Sequence, residues 1–304
     1  MGGDGEAVMC GIVGLFLKTP RLEPQIGRLT AAMLDVMTDR GPDSAGFAVY
    51  GASAPERLKF TLRGGDFSAL PVRLAERTGV EVAIEVRSDH ALLTAPASAE
   101  AAIRGALAVV SPETLIVGAG TRMELYKGVG LPAAVSARFG LPGMSGTHAI
   151  GHTRMATESA VTTAGAHPFS TGLDQCLVHN GSLSNHNNIR RTLIREGQVF
   201  ETANDSEVAA GYLSWRMGRG EPLDQALHAA LADLDGFYTF VVGTESGFGV
   251  LRDAVACKPA VMAETEDYVA FGSEYRALTM LPGIDEARMF EPEPQKVYVW
   301  ERAA

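Results

Sequence analysis

The stretch CGIVGLFL, Cys10 to Leu17, sets a thiol at the head of a short apolar run. Seven residues rich in branched side chains read as a buried strand, because a helix of the same character needs a longer stretch. Outward from it, TPRLEP interrupts the pattern, and Ile26, Leu29, Met33, Val36 and Met37 then recur at helical spacing. That spacing predicts an amphipathic helix ending near Gly41-Pro42. SAGFAVYG returns to strand character. The cysteine directly follows Met9, and eight residues stand in front of that methionine.

The chain has 304 residues, 46% of them hydrophobic and 20% charged, enough for a substantial core in one large domain or two small ones. A net charge of -10 without a basic block argues against a nucleic-acid partner, since phosphate backbones demand clustered Lys and Arg. Cys10, Cys176 and Cys257 are widely spaced and form no CxxC pair. This spacing argues against a disulfide framework and against a structural zinc or iron–sulfur site, and it fits a reducing cytoplasm. The leader MGGDGEAV has neither a basic nor an apolar region of the secretory kind, and no apolar run is long enough to suggest a membrane span.

Residues 52–145 read as an additional α/β block. RLKFTLRGG and VEVAIEVRSDHALLTAP have strand character, FSALPVRLAERTG and SAEAAIRGALAVVS are helical, and TLIVGAGTRMELYKG reads as two strands around a Gly-rich turn. VGAG lacks the context of a dinucleotide fingerprint and is read as a turn. THAIGHTRMAT and QCLVHNGSLSN are further buried strands with polar ends. Three helices follow, the second opening with Asp205 and Ser206 as natural N-caps. The C-terminal segments alternate as antiparallel strands around the short helix EYRALTML.

Three apolar strands thus each end in a polar cluster: Cys10, then His152-Thr153-Arg154, then His179-Asn180-Gly181. A thiol, a carboxamide, a glycine N–H and an arginine together suggest acyl chemistry, with a nucleophile, an oxyanion site and a carboxylate clamp. Each element alone also has a plainer explanation. Cys10 can be a small buried hydrophobe, Asn180-Gly181 a turn, Asp205 a cap, and His152 and His179 hydrogen-bonded packing residues.

Taken in order, CGIVG, RGPDSAG, GHTRMAT, HNG and NDSE resemble the class II glutamine amidotransferases, whose glutaminase domain is an N-terminal-nucleophile hydrolase. The resemblance covers residues 10–51 and about 146–280. It implies an α+β fold, a four-layer αββα sandwich carrying the inserted block, and hydrolysis of the glutamine side-chain amide. By resemblance Cys10 is the nucleophile with its own α-amine as base, and Asn180 and Gly181 form the oxyanion hole. Arg154 binds the α-carboxylate of L-glutamine, Asp205 binds its α-ammonium, Arg40 orders the pocket, and Thr157 lines it. Such an amine titrates near 8, far closer to neutrality than a lysine, and works only once residues 1–9 are absent or removed. Three explanations of the leader stay open: a mis-set or added start, a propeptide cut at Met9–Cys10, and an unprocessed non-catalytic copy. Met155 stands where several relatives of the family carry an aromatic residue, and Glu158 where the sugar-aminating relatives often place a histidine.

In length, middle block and motif wording the chain is most similar to the stand-alone amidotransferase subunit of N-methylglutamate synthase, with split glutamate synthase as the alternative. This resemblance implies β-helical and synthase partner subunits, with FMN and an iron–sulfur cluster in the partner and no cofactor in this chain. A non-catalytic glutamine-binding subunit is the non-enzyme alternative.

Overall fold

The computed structural model of the chain describes residues 10–155 and 160–302. The chain runs from β1 (Gly11–Leu17) through α1 (Ile26–Asp35) to β2 (Ser44–Tyr50). A second unit follows: β3 (Arg57–Arg63), α2 (Leu70–Thr78), β4 (Ala83–Arg87), β5 (His90–Pro96), α3 (Glu100–Val110) and β6 (Leu115–Gly120). Next come β7 (Met123–Val129), α4 (Pro132–Arg138), β8 (His148–Arg154), β9 (Phe169–Gly172) and β10 (Gln175–Leu183). The helices α5 (His186–Arg195), α6 (Asp205–Gly218) and α7 (Leu223–Asp233) lead to β11 (Gly236–Gly243) and β12 (Gly247–Arg252). The chain closes with β13 (Val261–Glu264), β14 (Tyr268–Gly272), α8 (Tyr275–Leu278), β15 (Arg288–Phe290) and β16 (Val297–Glu301).

Seven strands form an antiparallel sheet in the order β15-β13-β14-β1-β8-β2-β7, and five form another in the order β16-β12-β11-β10-β9. Because side chains alternate across a strand, β1 serves two cores at once. Ile12 and Phe16 point into the space between the sheets and meet Val178, Val241 and Phe248 of the facing sheet. Val13, Leu15 and Leu17 point the other way, into the layer built by α1, α4 and α8. The outer face of the five-stranded sheet packs Leu177, Phe240 and Leu251 against α5, α6 and α7. Helices, sheet, sheet and helices therefore stack as an αββα sandwich, with each fully buried Leu or Phe worth about 1.5–3 kcal/mol.

The strand, turn and helix pattern read for residues 52–145 is present, but its parts belong to two places. Strands β3 to β6 form a separate four-stranded sheet, β4-β5-β3-β6, with α2 and α3 and a core of their own. Met123–Val129 instead pairs with β2 along its full length and is the edge of the seven-stranded sheet. Within residues 52–145 the four-stranded sheet ends at Gly120, and β7 and α4 pack with the sandwich. Sequence pattern shows that β7 is a strand but not which neighbour it pairs with.

Asp174 joins the two parts. Its buried carboxylate accepts the backbone N–H groups of Thr121, Arg122 and Met123 at 2.7, 2.9 and 2.8 Å, at the turn between β6 and β7. The α1 pattern stops at Asp35, short of Gly41-Pro42. A tighter 3₁₀ turn, Thr38–Arg40, follows and carries Arg40 toward the head of β1. No helix among the described residues is long and apolar enough to cross a membrane.

Asp174 has φ +50°, which asparagine tolerates, so Asp174→Asn keeps the backbone while removing the charge and one of the two acceptor oxygens. It is expected to lower unfolding free energy by about 1–3 kcal/mol, read from a denaturant midpoint at constant slope. A shift below about 0.5 kcal/mol contradicts the role given to this carboxylate.

Candidate active site

The alternation that fills the core also places the chemistry. Cys10, one residue before β1, shares the parity of Ile12. Arg154 shares that of Ile150, and Asn180 that of Cys176 and Val178, all of which face the space between the sheets. Gly11 sits opposite Thr153, so Cys10 and Arg154 meet at the same end of the β1–β8 pair. The three strand ends that the sequence singles out are brought together there.

The carbonyl of Cys10 is the point of convergence. Nδ2 of Asn180 donates to it at 3.0 Å and Nε of Arg40 at 3.3 Å. The thiol donates a long hydrogen bond, 3.9 Å, to the carbonyl of Met155. Burial pushes the Cys10 thiol above its ordinary value, while the positive charges of Arg154 and Lys258 pull it back. A thiol that is neutral at rest, with cations beside it, needs a base to become a nucleophile.

Arg40 is held from behind. Its Nη1 pairs with Oε1 of Glu274 at 2.6 Å, and the other oxygen of Glu274 pairs with Arg276 at 2.6 Å. Gly181 has φ +143°, and a Cβ there would stand 2.0 Å from the carbonyl oxygen of Phe237. Only glycine lets β10 pass β11 at this point.

Asp205 is not the cap the sequence suggests. Asn204 is the N-cap of α6, its side chain accepting from the N–H of Ser206 at 2.8 Å, and Asp205 is the first helical residue. Its Oδ2 accepts the N–H of Leu183 at 2.9 Å, just beyond Asn180-Gly181, and its Oδ1 lies 3.9 Å from Nδ1 of His179. His179 bonds Ser206 Oγ at 2.9 Å, and Nε2 of His152 donates to the carbonyl of His179 at 3.2 Å. Both histidines are buried beneath the site and join its strands, which resolves their open reading in favour of packing.

Comparison with known proteins gives this geometry a family. The profile of a family described as "Glutamine amidotransferase domain" matches residues 152–280. A protein named "Glutamine amidotransferase-like protein GlxB", from Rhizobium meliloti, is 62% identical over 297 residues, 96% of this chain and 98% of its own length. The chain belongs to the class II glutamine amidotransferases. A second relative of this amidotransferase, from Methanothermobacter thermautotrophicus, is 32% identical over 304 residues, 95% of this chain and 99% of its own. Among solved structures, the Bacillus subtilis glutamine phosphoribosylpyrophosphate amidotransferase aligns with TM-score 0.62 at 20% identity. That match covers 96% of this chain and 47% of the larger one, and it shows the shared αββα sandwich.

Of the amidotransferase residues expected from sequence, Cys10, Arg40, Arg154, Asn180, Gly181 and Asp205 lie at one end of the sandwich. Thr157 lies outside the described residues, as do residues 1–9. Glu274 and Lys258 were not anticipated. Neither falls in a motif with a chemical pattern, and Glu274 stands 234 positions from its partner Arg40.

Burial keeps three histidines of the sandwich neutral. It depresses His148 and His152 to about 3, and His179 to about 4, with Asp205 partly opposing the last. The unfolded chain takes up these protons below about pH 6.5 and the folded chain does not, so stability is full above that pH and falls below it. Each group contributes about 1.4 kcal/mol per pH unit between its unfolded and folded values. Urea unfolding is therefore expected to show a steep loss of stability between pH 6 and pH 4, with a shallower slope in His148→Gln. Equal stability at pH 7 and pH 5 contradicts the neutral assignment.

Proposed function

We propose that this glutamine amidotransferase releases ammonia from glutamine through a thioester on Cys10. The reading is carried by the meeting of Asn180 and Arg40 on the Cys10 carbonyl, with Arg154 beside the thiol. In this mechanism the α-amine of Cys10 accepts the thiol proton, and the sulfur attacks the side-chain amide carbon of glutamine. A carboxamide nitrogen carries two hydrogens. The Cys10 carbonyl uses one on Asn180, and the second, with the N–H of Gly181, serves the oxyanion. Collapse of the tetrahedral species returns the proton to the leaving nitrogen, expels ammonia and leaves the glutamyl thioester. The same amine then deprotonates water, which attacks the thioester, releases glutamate and restores the thiol.

Arg154 offers a planar pair of donors to the α-carboxylate of the substrate, and Asp205 a negative charge to its α-ammonium. Thr157 lines the pocket in this scheme. Arg40 binds no substrate atom in it. With Glu274 behind it, Arg40 holds the first residue in place, and positioning to within a fraction of an ångström is what intramolecular proton transfer requires. The α-amine exists only when no peptide bond joins Met9 to Cys10, so activity requires a chain whose first residue is Cys10.

For the wider reaction, we propose that the chain is the glutaminase subunit of an N-methylglutamate synthase. Its partners would be a β-helical subunit and a synthase subunit that carries FMN and an iron–sulfur cluster. Resemblance in length, middle block and motif wording supports this. The same features support a split glutamate synthase as the second reading. Purification of the native assembly, assayed with methylamine plus glutamate and with 2-oxoglutarate plus glutamine, separates the two.

Cys10→Ala is expected to abolish glutamine hydrolysis with an unchanged melting temperature. Asn180→Ala should lower kcat by about 100-fold or more. Arg154→Ala should raise the KM for glutamine by at least about 30-fold. Steady-state kinetics of the three variants tests the assignment. Turnover by Cys10→Ala above background removes the nucleophile, and an unchanged KM in Arg154→Ala removes the clamp.

A further inference from the structure

Between the small four-stranded sheet and the sandwich lies a cavity of about 590 Å³, within the range of small-molecule sites. It is lined by β3, α3, β6, β7, β9 and the segment before α6, and it shares no lining residue with the Cys10 site. Three cations, Arg63, Arg104 and Lys127, and three carboxylates, Glu100, Glu201 and Glu207, face it.

Most of these charges are already engaged. Arg104 pairs with Glu100 at 2.9 Å. Lys127 is buried and donates to the carbonyls of Ala166 and Pro168 at 2.9 and 3.2 Å. Glu207 accepts the N–H groups of Glu201 and Thr202 at 2.7 and 2.8 Å. Two groups are left over. Nε of Arg63 is buried with no hydrogen-bond partner, and no ion pair forms on this guanidinium among the described residues. The carboxylate of Glu201 likewise receives no donor among the described residues. Glu201 is exposed to solvent; partial desolvation and the neighbouring Glu207 raise its proton affinity, while Lys127 and Arg63 lower it. The cost of this arrangement falls on Arg63, whose Nε is buried without a partner, and the solvent-exposed carboxylate of Glu201 lines the same cavity without closing on it.

We propose that this cavity binds a free α-amino acid of zero net charge, its carboxylate on Arg63 and its ammonium on Glu201, as a site separate from Cys10. A zwitterion supplies the acceptor that Arg63 lacks, places its ammonium on Glu201, and leaves the balanced charges of the cavity unchanged. A simple carboxylate or amine answers only one. Apolar lining from Leu107, Ile116 and Phe169 accommodates a side chain.

The test is calorimetric titration of L-glutamine into the full chain carrying Cys10→Ala, which cannot turn the probe over. Two equivalents are expected. Adding Arg63→Met or the isosteric Glu201→Gln should weaken one equivalent at least tenfold and leave the other unchanged, whereas adding Arg154→Ala should remove only the other. Propionate and propylamine should not compete for the equivalent that depends on Arg63. A single equivalent lost in Arg63→Met and kept in Arg154→Ala supports the cavity site while removing the glutamine clamp. Titration unaffected by both Arg63→Met and Glu201→Gln, or competition by either one-charge analogue, overturns the proposal.

Discussion

The carbonyl oxygen of Cys10 receives Asn180 from the five-stranded sheet and Arg40 from the helical layer beneath the seven-stranded one. These bonds fix the residue just before β1 from its carbonyl side, and everything else about the site is arranged around that anchoring. The backbone of β1 cannot shift, because its inner side chains are locked between the sheets and its outer ones into α1. Arg40 cannot withdraw without leaving Glu274, which Arg276 holds in turn. The nitrogen and the sulfur of one residue are thus held at the mouth of a rigid sandwich, as the proposed internal base requires.

The histidines beneath the site extend this logic into stability. His152 and His179 join the ends of β8 and β10, and Ser206 ties them to the start of α6. Being neutral, they link these elements without adding positive charge beside Arg154 and Lys258. Asn204 performs the capping of α6, so Asp205 is free to bind the backbone N–H of Leu183, just beyond Asn180 and Gly181. One residue caps the helix and the next faces the site.

Much of this was legible in the residues. The apolar run Gly11–Leu17, the strand ends at Arg154 and Asn180, and the order of the five motifs indicate both the sandwich and the residues gathered at its end. Even the convergence follows from alternation, since Cys10, Arg154 and Asn180 share parity with buried inner residues of their strands. Pairing was not legible. Met123–Val129 has the pattern of a strand, but its place beside β2 depends on long-range register. Glu274 was hidden for the same reason: an acid beside a short helix carries no mark of the arginine it will meet. The capping of α6 was misassigned by one residue, because Asn204, Asp205 and Ser206 are all good caps and only the fold chooses among them.

The central claim is that the thiol and a free α-amine of the same residue do the chemistry together. Intact-mass and peptide analysis of active protein after reaction with a glutamine-like electrophile tests it most directly. The account predicts one adduct per chain, located on a Cys10 that is the first residue. Full turnover by a chain whose Cys10 nitrogen is still bonded to Met9 would contradict it.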